Sequence, residues 1–343
     1  MAFYEQEILI VGAGPAGLSV AAECVFHELP SVRVLEKGPS HNQTVLQYYP
    51  DDKRVDAAYR GQEAVCAGVL CFRDTTKPNF LSIIDEIMVR YGFSVDYNVN
   101  VDSIKREGDR FTVSTGEGSI YRAHFVVIAV GRMGKPNRPD YFNDIPANAR
   151  KRVQFDIRNL DASGKDILVV GGGNSAIEFA LSLANKGKVT VSYRKDTFGR
   201  LNPMNLELLE KDEKEGLIEV RRNSNIDKVL EKDGRPHVFF KEGADKEGAD
   251  KVFDHVIFGI GGSSPAGFLS SAGLDLDEKG NPKLSPLLES NVPGLYVAGE
   301  LCVPQGKGSI IASFNSGKKV VEGIAQKLGV ERKPELVSLN FQQ

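Results

Sequence analysis

Two glycine-rich turns hold the residues of this chain whose types and spacing can do chemistry. The first is Gly12, Ala13, Gly14, Pro15, Ala16 and Gly17, a G-x-G-x-x-G pattern. In that pattern the first glycine permits a tight turn and the second lets backbone approach a pyrophosphate. The third allows a helix to pack closely on a strand. An apolar run at 7–11 precedes the turn, and a helix-like stretch at 16–27 follows it. The N-terminus of such a helix offers unpaired N–H groups and positive potential to phosphates. The next apolar run, Val32–Leu35, leads into Glu36 and Lys37. A carboxylate at that offset can accept hydrogen bonds from ribose hydroxyls. The glycines alone would fit any Gly-rich turn. Strand, helix and acid together describe a dinucleotide site.

The second turn is Gly171, Gly172, Gly173, Asn174, Ser175 and Ala176, the G-x-G-x-x-A form of the same pattern. It follows the apolar run Asp166–Val170 and opens a helix-like stretch at 176–185. The strand after it, 189–193, ends in Tyr193, Arg194 and Lys195, with no acid where Glu36 stood. Arg194, Lys195 and Arg200 would meet a 2′-phosphate. The plainer alternative is a solvated basic turn. An acidic ribose site suits FAD, and a basic one suits NADPH rather than NADH. Two sites imply two cofactors, with the protein holding nicotinamide against flavin and the flavin doing the hydride chemistry.

Each turn must be positioned by a βαβ unit. Both units have strands that are apolar throughout, as in a parallel sheet covered on both faces. They also continue alike. Runs at 99–106, 110–114 and 119–123 read as meander strands, and an apolar strand at 125–130 then ends in Gly131. The second half repeats this with 226–230, 236–241 and an apolar strand at 255–260 ending in Gly261. A third strand, 294–298, ends in Gly299 and Glu300 ahead of a last helix, Ile310–Leu328. The tandem repeat at 242–251 reads as a solvated hairpin loop. The Pro-rich stretch 135–139 reads as a linker, and the segment after Gly261 as the return. The expected fold is α/β, with two Rossmann-like, three-layer ββα dinucleotide-binding domains, the second inserted into the first. Residues 1–132 and 262–343 would form the FAD-binding domain, and 133–261 the NADPH-binding domain.

Composition narrows the class. A chain of 343 residues is long enough for two modest domains. A net charge of −3 provides no basic field for nucleic acid. The longest apolar runs are strand-sized and too short to span a membrane. The first residues lack the basic-then-apolar pattern of a secretory signal. Four cysteines without a framework spacing suit a reducing cytosol, so a cytoplasmic location is expected.

Taken together, residues 12–17, Glu36, Gly131, residues 171–176, Tyr193, Arg194, Lys195, Gly299 and Glu300 resemble the thioredoxin-reductase-like flavoproteins. The resemblance covers nearly the whole chain. It implies that the strand near Val101 passes the FAD adenine. It also implies that the third motif binds the flavin ribitol and that the helix start at Ser309 and Ile310 faces the flavin ring. Glu300 stands where the family usually has Asp, so the carboxylate is one methylene longer. The C-x-x-C dithiol of thioredoxin reductases is missing, since no cysteine lies between residues 72 and 301.

Two branches without that dithiol are most similar. One is the flavodoxin:quinone reductases, through residues 53–56, 131–139 and 260–265. The other is the thioredoxin-reductase-like ferredoxin–NADP reductases, in which an aromatic before Pro stacks on the flavin. Tyr49 before Pro50 matches that aromatic; the alternative is a Tyr packed in a surface loop. A C-terminal extension can cover the flavin there, which gives Phe341 a role unless it lies in a frayed tail. The family is usually homodimeric. Its NADPH domain rotates, so segments 132–140 and 262–268 would be hinges. Related bacillithiol-disulfide-reductase-like proteins carry a Cys in the first glycine loop, where this chain has Ala16.

Cys66 and Cys71 have the C-x₄-C spacing of glutathione-reductase-type enzymes but neither their context nor their position. Buried small hydrophobes are the default expectation, and a redox pair is the alternative. Cys24 reads as core. Cys302, two residues past Glu300, could approach the flavin but shows no neighbouring base. None of the five histidines has metal spacing; His41 is the one placed near a ligand, while His124 and His255 read as structural. The resemblance implies electron transfer between NADPH and a flavodoxin, a ferredoxin or a quinone, with no side chain needed as acid or base. The alternatives are a disulfide reductase using Cys66/Cys71 or Cys302, and a flavin redox sensor without turnover.

Overall fold

The computed structural model describes residues 2–49, 54–57, 65–132, 136–157, 160–241, 250–262, 265–303 and 308–334. Pro50, Lys53, Phe341, most of the 242–251 repeat and parts of both expected hinges lie outside them. The chain opens with β1 (Phe3–Val11), α1 (Pro15–Phe26), β2 (Val32–Leu35), α2 (Gln43–Tyr48), β3 (Arg54–Val55) and β4 (Thr75–Thr76). There follow α3 (Lys77–Tyr91), β5 (Val95–Asp96), β6 (Val101–Glu107), β7 (Arg110–Thr115) and β8 (Ile120–Ile128). The middle carries α4 (Ala147–Arg150), β9 (Val153–Gln154), β10 (Asp166–Val170), α5 (Asn174–Ala184), β11 (Lys188–Ser192) and α6 (Pro203–Lys214). After them come β12 (Ile218–Arg221), β13 (Ile226–Lys232), β14 (Arg235–Phe240), β15 (Asp250–Val252) and β16 (His255–Phe258). The last stretch carries α7 (Ala266–Ser271), β17 (Leu295–Val297) and α8 (Ile310–Leu328).

The chain divides into two compact units. One comprises residues 1–46, 54–134 and 264–343, and the other 47–53 and 135–263. In the first unit a sheet runs β5-β2-β1-β8-β7-β6, with β17 also paired to β8. The β5, β2, β1, β8 and β17 pairings are parallel, and β6-β7-β8 is an antiparallel meander. Leu9, Val11, Val126 and Ile128 face a cluster that includes Phe111 and Val113 of β7. Ile8 and Ile10, of opposite parity, are also fully buried, as a strand covered on both faces requires. On the helical layer α8 lies against α1. Gly317 leaves no room for a side chain beside Ser19, whose hydroxyl donates to the Phe314 carbonyl at 2.8 Å.

The second unit has a parallel sheet, β12-β11-β10-β16-β9, and a separate antiparallel sheet, β13-β14-β15. Ile167, Val169 and Ile257 pack with α5 residues such as Ile177 and Phe179. Leu168, Val256 and Phe258 pack on the other face with Val229 and Val238 of the antiparallel sheet. That alternation builds the three ββα layers.

The two halves are less alike than the sequence pattern predicts. Residues 119–123 and 125–130 read as two strands, but they form one long β8. Its first part pairs with β7 and its end pairs with β17. No turn residue interrupts the run, so the pleat continues. In the second unit β15 and β16 are separate strands. Between them Asp254 turns its carboxylate onto the Asp166 N–H at 3.0 Å.

Candidate functional site

In the first unit α1 starts at Pro15, directly after the turn. Gly12 has φ +109°, and a Cβ there would lie 2.5 Å from the Ala129 carbonyl oxygen. A Cβ on Gly17 would run into the Gly12 carbonyl, so helix and strand are as close as the pattern predicts. Gly14 is different. Its backbone is extended, and a Cβ there would meet nothing within 4 Å. The chain's own packing does not require glycine at 14, which leaves an open face at a helix N-terminus where a phosphate fits.

Glu36 is buried beside this turn. One carboxylate oxygen accepts the Ala13 N–H at 2.8 Å and the other accepts the Gly38 N–H at 2.8 Å. Each oxygen keeps a further lone pair. The Asn98 N–H donates to the Gly38 carbonyl and the Val99 N–H to the Glu36 carbonyl, which brings the start of β6, at Val101, beside the acid. Lys37 is exposed. Gly131 follows β8, whose extension returns to the turn through the Ala129 N–H and the Val11 carbonyl.

The third motif reaches the same turn. A Cβ on Gly299 would lie 3.0 Å from the Ala16 Cβ, and the Gly299 N–H donates to Ser316 at 2.8 Å. The Glu300 carboxyl lies against Gly308, where a Cβ would come within 2.9 Å of its Oε1. Ser309 caps α8 by accepting the Ala312 N–H at 3.0 Å, and Ile310 is the first helical residue. Although Glu300 keeps one side open to solvent, crowding of its carboxyl raises its pKa above the ordinary value, against the pull of Arg132. Sequence reasoning missed the part played by Arg132. Its guanidinium donates to Asn281 Oδ1 at 2.7 Å, the Glu300 carbonyl at 2.8 Å and the Val303 carbonyl at 2.7 Å, fixing the turn after Gly299. Its position directly after Gly131 was the available signal.

In the second unit Gly171 has φ +141° and abuts the Gly259 carbonyl, while Gly259 would clash with Ala176 if it carried a Cβ. The Tyr193 ring covers Gly172 and stacks on Phe198, with centroids 4.7 Å apart. Gly173 is open like Gly14. Asn174 and Ser175 form the first turn of α5, but the Asn174 side chain is engaged with Asn202 and Asn205. Arg194, Lys195 and Arg200 are exposed and have no ion-pair partner among the described residues. The neighbouring Arg221 and Arg222 are paired, with Glu219 at 2.6 Å and Glu213 at 2.5 Å. Gly261 follows β16, and its carbonyl accepts the Asn137 N–H at 2.9 Å.

The family model for pyridine nucleotide-disulphide oxidoreductases matches residues 9–299, from β1 to Gly299. The chain belongs to that family. Among this oxidoreductase's relatives is a ferredoxin–NADP reductase of Thermus thermophilus, 29% identical, with 91% of this chain and 89% of that one covered. Another is ferredoxin–NADP reductase 2 of Oceanobacillus iheyensis, 28% identical, with 92% of each covered. Solved structures of similar fold include the bacillithiol disulfide reductase of Bacillus cereus, with TM-score 0.79 and 23% identity over 94% of this chain and 99% of that one. The thioredoxin reductase of Lactococcus lactis has TM-score 0.75 and 22% identity over 94% and 98%. The fold of the oxidoreductase is therefore the two-domain, thioredoxin-reductase-like α/β build that the sequence predicts.

The cysteines, His41 and Tyr49 of the oxidoreductase lie in the first unit or beside it in the chain. Cys66 and Cys71 are not free buried thiols; they form a half-exposed disulfide with Cα atoms 5.6 Å apart. Their loop is strapped to α1 and α8. Val69 donates to Glu23 at 2.7 Å, Ala67 to Asn315 at 2.8 Å, and Lys318 to the Ala67 carbonyl at 2.8 Å. Cys302 is half-buried at the end of the third motif. Its thiol donates to the Val297 carbonyl at 3.1 Å, packs on the first unit's core, and is pushed up to about 12 by burial. Cys24 is core, as expected. His41 hydrogen-bonds Asp85 and Asn42, and the Asn42 N–H holds the Ala13 carbonyl, so His41 braces the first turn from behind. Tyr49 is half-buried and groups with the second unit rather than with Glu36 and the first turn. No helix among the described residues is long and apolar enough to cross a membrane.

Proposed function

We propose that this oxidoreductase carries FAD on residues 1–132 and 262–343, binds NADPH on residues 133–261, and exchanges electrons with a ferredoxin. The observation that carries the reading is the contrast between the two turns. One sits on a buried acid with spare lone pairs, and the other beside three exposed cations without an ion pair among the described residues. Gly12–Gly17 and the α1 N-terminus would take the FAD pyrophosphate, and Glu36 the adenosine ribose, with Val101 alongside. Gly131, Glu300 and the α8 start at Ser309 would hold the ribitol and ring end. Residues 171–176 would take the NADPH pyrophosphate, and Arg194, Lys195 and Arg200 its 2′-phosphate. When bound, the flavin accepts a hydride and can release its electrons singly. The relatives named as ferredoxin–NADP reductases support a one-electron protein partner. The half-buried Cys302 thiol, which donates to the Val297 carbonyl and is pushed up to about 12, argues against a thiol reductase built on it.

The test is anaerobic mixing of the yellow protein with NADPH or NADH, then with ferredoxin. NADPH should bleach the flavin absorbance faster than NADH, and ferredoxin should restore it. Colourless protein unable to take up FAD would overturn the reading.

A further inference from the structure

A short loop in the second unit is pinned at both ends. At one end Phe198, 7% exposed, stacks on Tyr193 with ring planes 18° apart. At the other, the Asn202 N–H donates to Asn174 Oδ1 at 2.9 Å. Asn205 Nδ2 donates to that same oxygen at 3.1 Å and to Glu178 Oε1 at 3.1 Å. Asn202 also caps α6, accepting the Asn205 N–H at 2.7 Å. Between the pins lie only Gly199, Arg200 and Leu201, and the Leu201 N–H turns back to the Phe198 carbonyl at 3.2 Å. Arg200 is therefore displayed at the tip of a fixed turn. It is exposed and has no ion pair among the described residues. Three asparagines and a stacked ring pair hold in place a cation that makes no ion pair among the described residues.

We propose that Asn174 is a positioning residue for Arg200. Acting through Asn202 and Asn205, it sets how strongly the protein prefers a 2′-phosphorylated pyridine nucleotide over its unphosphorylated counterpart. The proposal rests on the reading of Arg194, Lys195 and Arg200 as a 2′-phosphate site. A loop already ordered in the free protein loses less conformational freedom when its arginine meets a phosphate. The two nucleotides differ only in that phosphate, so the benefit appears in the ratio of their affinities.

The experiment uses the intact flavin-loaded protein and calorimetry with 2′,5′-ADP and 5′-AMP, which differ only in the 2′-phosphate. The KM ratio for NADH over NADPH is measured alongside. Asn174→Leu removes the shared acceptor and should lower both ratios about tenfold. Asn174→Asp keeps an acceptor oxygen and should restore the ratios, even where both affinities fall together. Asn205→Leu should lower the ratios several-fold. A folded Asn174→Leu protein with wild-type ratios would overturn the proposal. If that variant does not fold, wild-type ratios in both Asn205→Leu and Phe198→Leu would overturn it equally. Arg200→Ala separates the two claims. Should it and Arg194→Ala leave the ratios intact, the 2′-phosphate reading fails. Should they abolish the preference while the asparagine variants do not, only the positioning role fails.

Discussion

The Glu36 carboxylate accepts the Ala13 N–H at 2.8 Å, so the acid ending one strand and the turn ending its neighbour form a single piece. Its second oxygen holds the Gly38 N–H. The same group that would face a ribose therefore also shapes the turn. Glu36→Gln replaces one acceptor by an N–H₂ and strands one of those buried donors. The FAD Kd, read by flavin fluorescence, should rise at least about tenfold, the weight of one charge-assisted hydrogen bond. Glu36→Ala should do more, and should also lower the melting temperature of the apoprotein. A change under about twofold in the Gln variant would remove Glu36 from the site.

The second turn predicts a different selectivity. Arg194→Ala with Lys195→Ala removes the two exposed cations that follow β11 and leaves Arg200. Charge-assisted contacts to a phosphate are worth about 1.5–3 kcal/mol each, so losing both should raise the NADPH KM at least about 100-fold. The NADH KM should move far less. Equal losses for both nucleotides would mean that these residues support the turn rather than read the phosphate.

The parts of this architecture legible in the sequence are the local ones. Glycine spacing, the flanking apolar runs and the acid at position 36 are all written within about 30 residues. The α8 limits, Ile310–Leu328, follow from its Ser309 cap and the Gly329 stop. What escaped depends on partners far along the chain. Arg132 works on Asn281 and residues 300–303, and Asn174 on Asn202 and Asn205. The helix α6 was missed, although Asn202 before Pro203 is a cap signal. The Cys66–Cys71 pairing stood only as the alternative to buried thiols, because spacing alone does not bring two sulfurs into bonding geometry.

Cysteine chemistry provides a third check. Cys24 is fully buried and Cys302 is held at the core with its thiol pushed up to about 12, so both should resist iodoacetamide in the native protein. After mild reduction only Cys66 and Cys71 should be labelled, as read by peptide mass spectrometry. The double variant Cys66→Ser, Cys71→Ser should still pass electrons from NADPH to ferredoxin. Loss of that transfer with the flavin retained would restore the disulfide-reductase alternative.

Glu300 should show a trade between stability and ligand binding. Crowding of its carboxyl raises its pKa, and Arg132 only partly opposes this. The folded state therefore holds the proton more tightly than the unfolded chain does. The stability this provides is fully present below the ordinary value of 4.5 and is lost as the pH climbs through the raised one. At about pH 7 the unfolded chain gains more from ionising Glu300 than the folded one does, so this carboxyl works against folding of the apoprotein. Glu300→Gln carries no charge, so its apoprotein should melt above wild type near neutrality, and the gap should close as the pH falls below 4.5. The same variant should bind FAD more weakly, because a carboxylate acceptor has become an amide. Opposite signs in the two measurements mark a group kept for its ligand rather than for the fold. A gap that widens in acid, or a variant that melts below wild type at neutrality, would show instead that Arg132 stabilises the carboxylate in the folded protein; no gap at any pH with normal FAD binding would show that the carboxyl sits in water and serves neither end.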